Sequence, residues 1–173
     1  MQVRLAQSAD ALAVETIRVR GWQVAYRHIL PPAELDALQI DATRWRDRLD
    51  APPAGWTTFV AVLGTVAVLD TAEVGKVVGF ASIGPSRDEQ RLGELYALYV
   101  EPSAWSQGTG RKLIARAEEE LARTYAEAAL WVLTANERAR RFYERAGWQL
   151  DGAVKIQDRW GVGAEESRYR KVF

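Results

Sequence analysis

One stretch constrains the fold of this chain more than any other: from Glu94 to Gly147 it alternates strand, helix, strand, helix, with a glycine-bearing loop at the first strand-to-helix junction. Glu94-Leu-Tyr-Ala-Leu-Tyr-Val100 is rich in strand formers and stops at Glu101-Pro102, where proline cannot donate to a ladder. From Thr109 to about Arg123, Leu113, Ile114, Ala117 and Leu121 share one face, while Arg111, Arg116, Glu118 and Glu119 fall mostly elsewhere, as in an amphipathic helix. Ala128 to Leu133 reads as a short buried strand, and Asn136 to Ala146 as a second helix closed by Gly147 in the position of a left-handed cap. A strand-helix-strand unit of this length is most economically a crossover between parallel strands.

The remaining segments fit around that unit. Val3 and Leu5 alternate with polar residues in a short first strand, Ser8-Ala-Asp10 supplies a helix start, and the helix is expected to run to about Val24. Pro31-Pro32 stops it, and Pro32 can open a short helix over Ala33 to Leu38. Thr43 to Leu49 is a further helix, ended by Ala51-Pro52-Pro53-Ala54-Gly55. Thr57 to Leu69 and Lys76 to Ile83 are β-branched and apolar, and the turn-like Asp70 to Gly75 between them predicts an antiparallel hairpin. Trp148 to Ile156 and Glu166 to Val172 supply two last strands joined by a glycine-containing loop. The expected architecture is a single α/β domain over residues 1–173, with a central mixed sheet of about six or seven strands flanked by about four helices.

Composition removes several kinds of chemistry. With 23 basic and 23 acidic side chains the formal net charge is zero, so no overall field attracts nucleic acid or an anionic membrane. There is no cysteine and one histidine, His28, which excludes Cys nucleophiles, zinc-thiolate sites and any multi-histidine metal centre within the chain; no metal is expected. Neither a signal-like N-terminus nor an apolar run of about 18 residues occurs, and the default expectation is a cytoplasmic protein. Carboxylates, Tyr, Ser/Thr, Lys/Arg and backbone remain for the chemistry.

Ser106-Gln-Gly-Thr-Gly-Arg-Lys112 lies where a strand has just ended and a helix begins. Glycines there let backbone approach a ligand, the first-turn N–H groups lack helical partners, and the helix dipole favours an anion by roughly 0.3–1 kcal/mol. Arg111 and Lys112 add positive charge. Taken alone, such a loop is better explained as a simple turn, since neither a Walker A pattern nor GxGxxG is present.

Together, LYALYVEPSAWSQGTGRKLIARAEEEL and ALWVLTANERARRFYERAGW resemble the two core motifs of the GNAT acyltransferase family. The likeness is close from Glu94 to Trp148. It comprises a strand ending in Val-x-Pro, a Q-x-x-G loop at Gln107 to Gly110, and an N-x-x-A-x-x-F-Y helix at Asn136 to Tyr143. IRVRGWQVAYRHILPPAELDAL and the terminal RYRKVF resemble family members more weakly. One departure is Lys112, two residues after Gly110, where the family pattern has Gly or Ala; its side chain either crowds the helix start or meets a CoA phosphate.

The resemblance implies a GNAT-like sheet with a splayed parallel strand pair, and acetyl-CoA as cosubstrate. Leu98, Tyr99 and Val100 would offer backbone groups to the pantetheine arm, and a backbone N–H among them would stabilise the oxyanion. Gln107, Gly108, Thr109, Gly110, Arg111 and Lys112 would cradle the pyrophosphate. Asn136 would bond the cosubstrate, with Arg140 near its phosphates; the other arginines of that helix read as a solvated face interleaved with Glu137 and Glu144. Tyr143 would protonate the departing thiolate, its alternative being one aromatic of an apolar helix face. The attacking amine must be neutral, and Glu94 is the candidate base, its alternative being a surface carboxylate at a strand end. Trp22, Tyr26 and Tyr96, with Tyr99, either line an acceptor pocket or are ordinary core. The implied activity is direct acetyl transfer to a primary amine of a small molecule, peptide or protein, without a covalent acyl-enzyme; the family also suggests a homodimer. Rival readings are a non-catalytic acyl-CoA sensor or scaffold, and an enzyme that uses the loop for ATP or NAD.

Overall fold

A computed structural model of the chain describes residues 1–64 and 75–173. The strands are β1 (Gln2–Leu5), β2 (Thr57–Leu63), β3 (Lys76–Pro85), β4 (Gly93–Val100), β5 (Glu127–Leu133), β6 (Gln149–Arg159) and β7 (Val162–Val172). The helices are α1 (Ala11–Ala25), α2 (Pro32–Asp36), α3 (Thr43–Asp50), α4 (Thr109–Leu121) and α5 (Glu137–Arg145), with 3-10 turns at Ser8–Asp10 and Pro102–Ala104. One seven-stranded sheet runs in the order β1-β2-β3-β4-β5-β7-β6. Of the expected first hairpin, β2 and β3 pair antiparallel, while the end of the strand foreseen to Leu69 and the turn from Asp70 lie outside the described residues.

The sheet is covered on both faces, which is why β2 and β3 read as continuous apolar runs. Phe59 and Ala61 face α4 with Leu113, Ile114 and Leu121, whereas Val60, Val62 and Phe80 face α1 and α3 with Val14, Ile17 and Trp45. α5 packs on the α4 side, through Tyr143 and Phe142, and Trp148 follows it into the same core. On the opposite side Leu30 and Leu35, around α2, meet Leu133 of β5 and Ala164 of β7.

β4 and β5 are the parallel pair, and their ladder is short: Gly93↔Ala128, Glu94↔Ala129 and Leu95↔Leu130. β4 continues to Val100 and β5 to Leu133 without further pairing, so the two strands splay toward their C-terminal ends. A wedge thus opens where α4 and α5 begin.

Two expectations differ from the structure. Among the described residues there are five α-helices where about four were expected, and β6 and β7 are longer than foreseen, almost meeting at Trp160-Gly161. Both turn residues have positive φ, 56° and 76°, as a two-residue hairpin turn of the primed type requires. The residues expected to form a loop are therefore ladder, with Ile156↔Glu165 and Gln157↔Ala164 in register.

Candidate active site

The wedge opens into a cavity of about 970 Å³, large enough for an extended organic ligand and a second small molecule. Leu98, Tyr99 and Val100 form one wall, and Val132 and Leu133 the other. Beyond Leu95, β4 presents backbone without a β5 partner, an edge to which an amide-bearing arm can add. One of its acceptors is already engaged: the Val100 carbonyl receives the indole N–H of Trp105 at 2.7 Å.

The mouth on the helix side is built from the start of α4 and the inner face of α5. Gly108 caps α4 in the left-handed region (φ 82°), and the first helical bond runs from Lys112 N–H to Gly108 O at 3.1 Å, so the N–H groups before it have no helical acceptor. At Gly110 a Cβ would come within 3.3 Å of Phe142, so glycine lets α4 and α5 approach. Gly108, Gly110 and Arg111 line the cavity as expected, and Trp105 and Ser106 join them. Gln107, Thr109 and Lys112 are not part of the lining: Gln107 donates its amide to Ser103 O at 2.9 Å, Thr109 is buried, and Lys112 is exposed one turn along the helix. Lys112 therefore has no helix start to crowd.

On α5, Asn136 is the N-cap, accepting the Ala139 N–H at 3.2 Å, and it borders the cavity. Arg140 turns away from it, donating to the Tyr169 hydroxyl at 3.0 Å and to Thr134 O at 3.2 Å. The arginines that reach the cavity are Arg138 and Arg145, which share a face with Phe142 at i, i+4 and i+7. Among the described residues neither these two nor Arg111 forms an ion pair. Arg138 lies over the Trp105 ring at 3.8 Å. What read as a solvated face is in part the cationic mouth of the cavity.

Tyr143 sits at the inner side of this mouth, 9% exposed and edge-on to Phe142 and Trp148. Its hydroxyl has no hydrogen-bond partner among the described residues and borders the cavity. Burial, with the neighbouring Tyr99 adding to it, pushes its ionisation well above the usual phenol range, so the proton is retained at all ordinary pH values.

Across the wedge lies an aromatic group. Trp22 donates to the Tyr99 hydroxyl at 2.9 Å, the Tyr26 and Tyr99 hydroxyls are 3.4 Å apart, and Trp22 meets Tyr26 and Trp160 edge-on. Burial pushes Tyr26 well above its usual range also. Tyr96 borders the cavity with its ring stacked on Trp56, and its hydroxyl donates to Pro85 O.

Glu94 does not reach the cavity. Its side chain is 1% exposed, and its carboxylate accepts the backbone N–H of Arg87 at 2.9 Å, Arg87 Nε at 3.0 Å and Arg87 Nη2. The expectation of a base and its alternative, a surface carboxylate, both meet a buried residue outside the cavity lining: Glu94 fastens the β3–β4 loop through Arg87, and Arg87 itself borders the cavity. Glu166, the single carboxylate of the lining, is held by Arg159 at 3.0 Å, with Lys155 at 3.7 Å. Sequence reasoning passed over Trp105, Arg138, Arg145, Trp131, Lys155, Arg159 and Glu166, all of which border the cavity. Only the Arg138/Arg145 spacing carried a local signal.

An open wedge between splayed parallel strands, with a glycine-capped helix start beside it, is the arrangement of an acyl-CoA-dependent transferase fold, and similarity to known proteins agrees. Residues 21–148 match the acetyltransferase (GNAT) family, and the chain belongs to it. It is 32% identical over 139 residues to the uncharacterized N-acetyltransferase YuaI of Bacillus subtilis, covering 78% of this chain and 72% of that one. In fold it is similar to a PaiA N-acetyltransferase from Thermoplasma acidophilum in complex with coenzyme A, with TM-score 0.72 and 15% identity over the whole of both chains. It is also similar to YncA of Salmonella typhimurium, a putative acetyltransferase solved with acetyl-CoA, with TM-score 0.72 and 22% identity over 99% of this chain and 93% of that one.

Proposed function

We propose that the protein transfers the acetyl group of acetyl-CoA to a primary amine by direct attack, with Tyr143 as the proton donor to the departing thiolate. The observation that carries this reading is Tyr143 itself: a protonated tyrosine whose ring is buried and whose hydroxyl, without a protein partner among the described residues, is open to the cavity between two splayed strands. The residues present fit the cosubstrate. The unpaired β4 edge suits a pantetheine arm, and the α4 start with Arg111, Arg138 and Arg145 suits its phosphates.

Bound acetyl-CoA supplies an activated thioester, the source of the acetyl carbon. The chain's residues then do four things. β4 and the helix starts fix the thioester's position; the cavity walls exclude bulk water from one side; the aromatic wall places the amine; and Tyr143 releases its hydroxyl proton to sulfur as the carbon–sulfur bond breaks and the carbon–nitrogen bond forms. No carboxylate in the lining is available as a base, because Glu166 already holds two cations. The amine's proton passes to water at the open mouth, and water returns a proton to the Tyr143 phenolate, so overall the proton that leaves nitrogen is balanced by the one that sulfur gains.

Tyr143→Phe tests the reading. It removes one oxygen atom from a site where that oxygen has no partner, so folding and acetyl-CoA affinity are expected to stay close to wild type, while kcat falls about 10² to 10⁴-fold. Measured together by titration calorimetry and thiol release, an unchanged kcat removes Tyr143 from the reaction, and absent acetyl-CoA binding by the wild type removes the reading itself.

A further inference from the structure

The acceptor end of the cavity has a chemical character that the proposed transfer does not require. Lys155 and Arg159 of β6 and Arg87 of the β3–β4 loop all border it, as does Glu166. Their acidic neighbours leave donors unused. Lys155 Nζ is 3.7 Å from Glu166 and 3.9 Å from Asp88, ion-pair distances too long for hydrogen bonds, and it makes no hydrogen bond among the described residues. Arg159 uses one Nη on Glu166, and Arg87 uses Nε and one Nη on Glu94. Three cations with unengaged N–H groups therefore line one cavity.

The aromatic rings there are covered in the same sense. Lys155 lies 4.0 Å over Trp131, Arg159 5.2 Å over Trp22, and Arg87 5.0 Å over Tyr96. A polycationic acceptor would thus find the Trp131, Trp22 and Tyr96 rings and the Glu166 carboxylate already engaged by cations, and it would meet three like charges. An anion would find three cations against a single carboxylate, Glu166, that Arg159 and Lys155 already neutralise.

We infer that the acceptor is a small amine that also carries a carboxylate, held by Lys155 and Arg159 with Arg87 beside them. This rests on the acetyl-transfer reading above and adds to it the class of the acceptor. The geometry is consistent with the reaction: Arg159 lies over Trp22, which donates to the Tyr99 hydroxyl on the β4 wall, so this cation borders the aromatic group across the wedge from Tyr143. The same cations favour the neutral form of a nearby amine, which attack requires in a site without a base.

The test begins with calorimetric titration of acetyl-CoA, which decides the underlying reading. Acetylation is then measured for the common L-amino acids and a set of dipeptides, each against its C-terminal amide, with spermidine and kanamycin as polycations. Carboxylates preferred over their amides by about tenfold or more in kcat/KM, with that ratio falling toward one in Lys155→Gln and Arg159→Gln proteins that still bind acetyl-CoA, is the expected result. Equal use of amides, preference for the polycations, or binding of acetyl-CoA with acetylation of no carboxylate-bearing amine overturns the inference and leaves the transfer reading standing; no acetyl-CoA binding overturns both.

Discussion

At the scale of single residues, Glu94 and Tyr143 show how two buried residues are bonded differently. Glu94 is surrounded by donors, all from Arg87, so its carboxylate is a fastening; Tyr143 has no partner, so its proton is available. Glu94→Gln loses the charge-assisted bonds and is expected to lower stability by about 1–3 kcal/mol. At about 2–4 °C per kcal/mol for a chain of this size, calorimetry resolves that loss. The pH profile separates the roles. If water takes the amine's proton, log kcat/KM rises with pH toward the amine's own pKa in wild type and in Glu94→Gln alike. An acid limb present in the wild type and absent in the variant makes Glu94 the base after all. Tyr143, held protonated by burial, contributes no falling limb in the accessible range.

Between elements, the junction of β1 with α1 depends on one carboxylate. Asp10 receives Arg4 through both guanidinium Nη atoms, at 2.7 and 2.9 Å, and the Gln7 N–H at 2.8 Å, closing the first helical turn onto the edge strand. Burial alone would raise its pKa, but the bonds from Arg4 and Gln7 outweigh it and hold the carboxyl below the usual range. A depressed folded pKa contributes stability that is fully present above the unfolded value of about 3.9 and disappears as pH falls through the folded value. Asp10→Asn is therefore expected to cost about 2 kcal/mol at neutral pH, and the wild-type and variant stabilities should converge in denaturant melts taken below about pH 4. A constant gap across that range assigns the loss to packing.

The elements also show what could be read in the sequence. The run from β4 to α5 announced itself because its strands are apolar and aromatic, its helices have clean apolar stripes, and Pro102 and Gly147 punctuate it; the observed bounds differ by a residue or two. The β6–β7 turn was hidden because Trp160 adopts a positive φ that no local rule assigns to tryptophan. On α5, the presence of arginines was evident, but which of them reach the cavity depends on the rotation of the helix about its axis: Arg140 meets Tyr169, and Arg138 meets Trp105. The cationic end of the cavity was least legible. Arg87, Trp131, Lys155 and Arg159 come from separate segments that only the sheet order brings together, and none carries a motif.

Across the whole molecule, the sheet is two sheets with a narrow join. β1 to β4 form one antiparallel block and β5, β7 and β6 another, and three residue pairs link them at Gly93 to Leu95. Packing of α4 and α5 over the core stabilises the join from one side, and the opposite side is met by Leu30, Leu35 and Leu133. A ligand between the splayed ends would take the place of the missing ladder, so its binding energy would be felt where the sheet is least connected. At a hundred times its Kd such a ligand adds about 2.7 kcal/mol, or roughly 5–10 °C in Tm. The gain should be local in hydrogen exchange: amides of Tyr96–Val100 and Trp131–Leu133 slow with acetyl-CoA present, while those of β1 and the β6 edge exchange as before. Uniform slowing over the entire sheet means that the two blocks already open as one cooperative unit and the wedge is no hinge; no slowing at Tyr96–Val100 means that the β4 edge is not where the ligand lies.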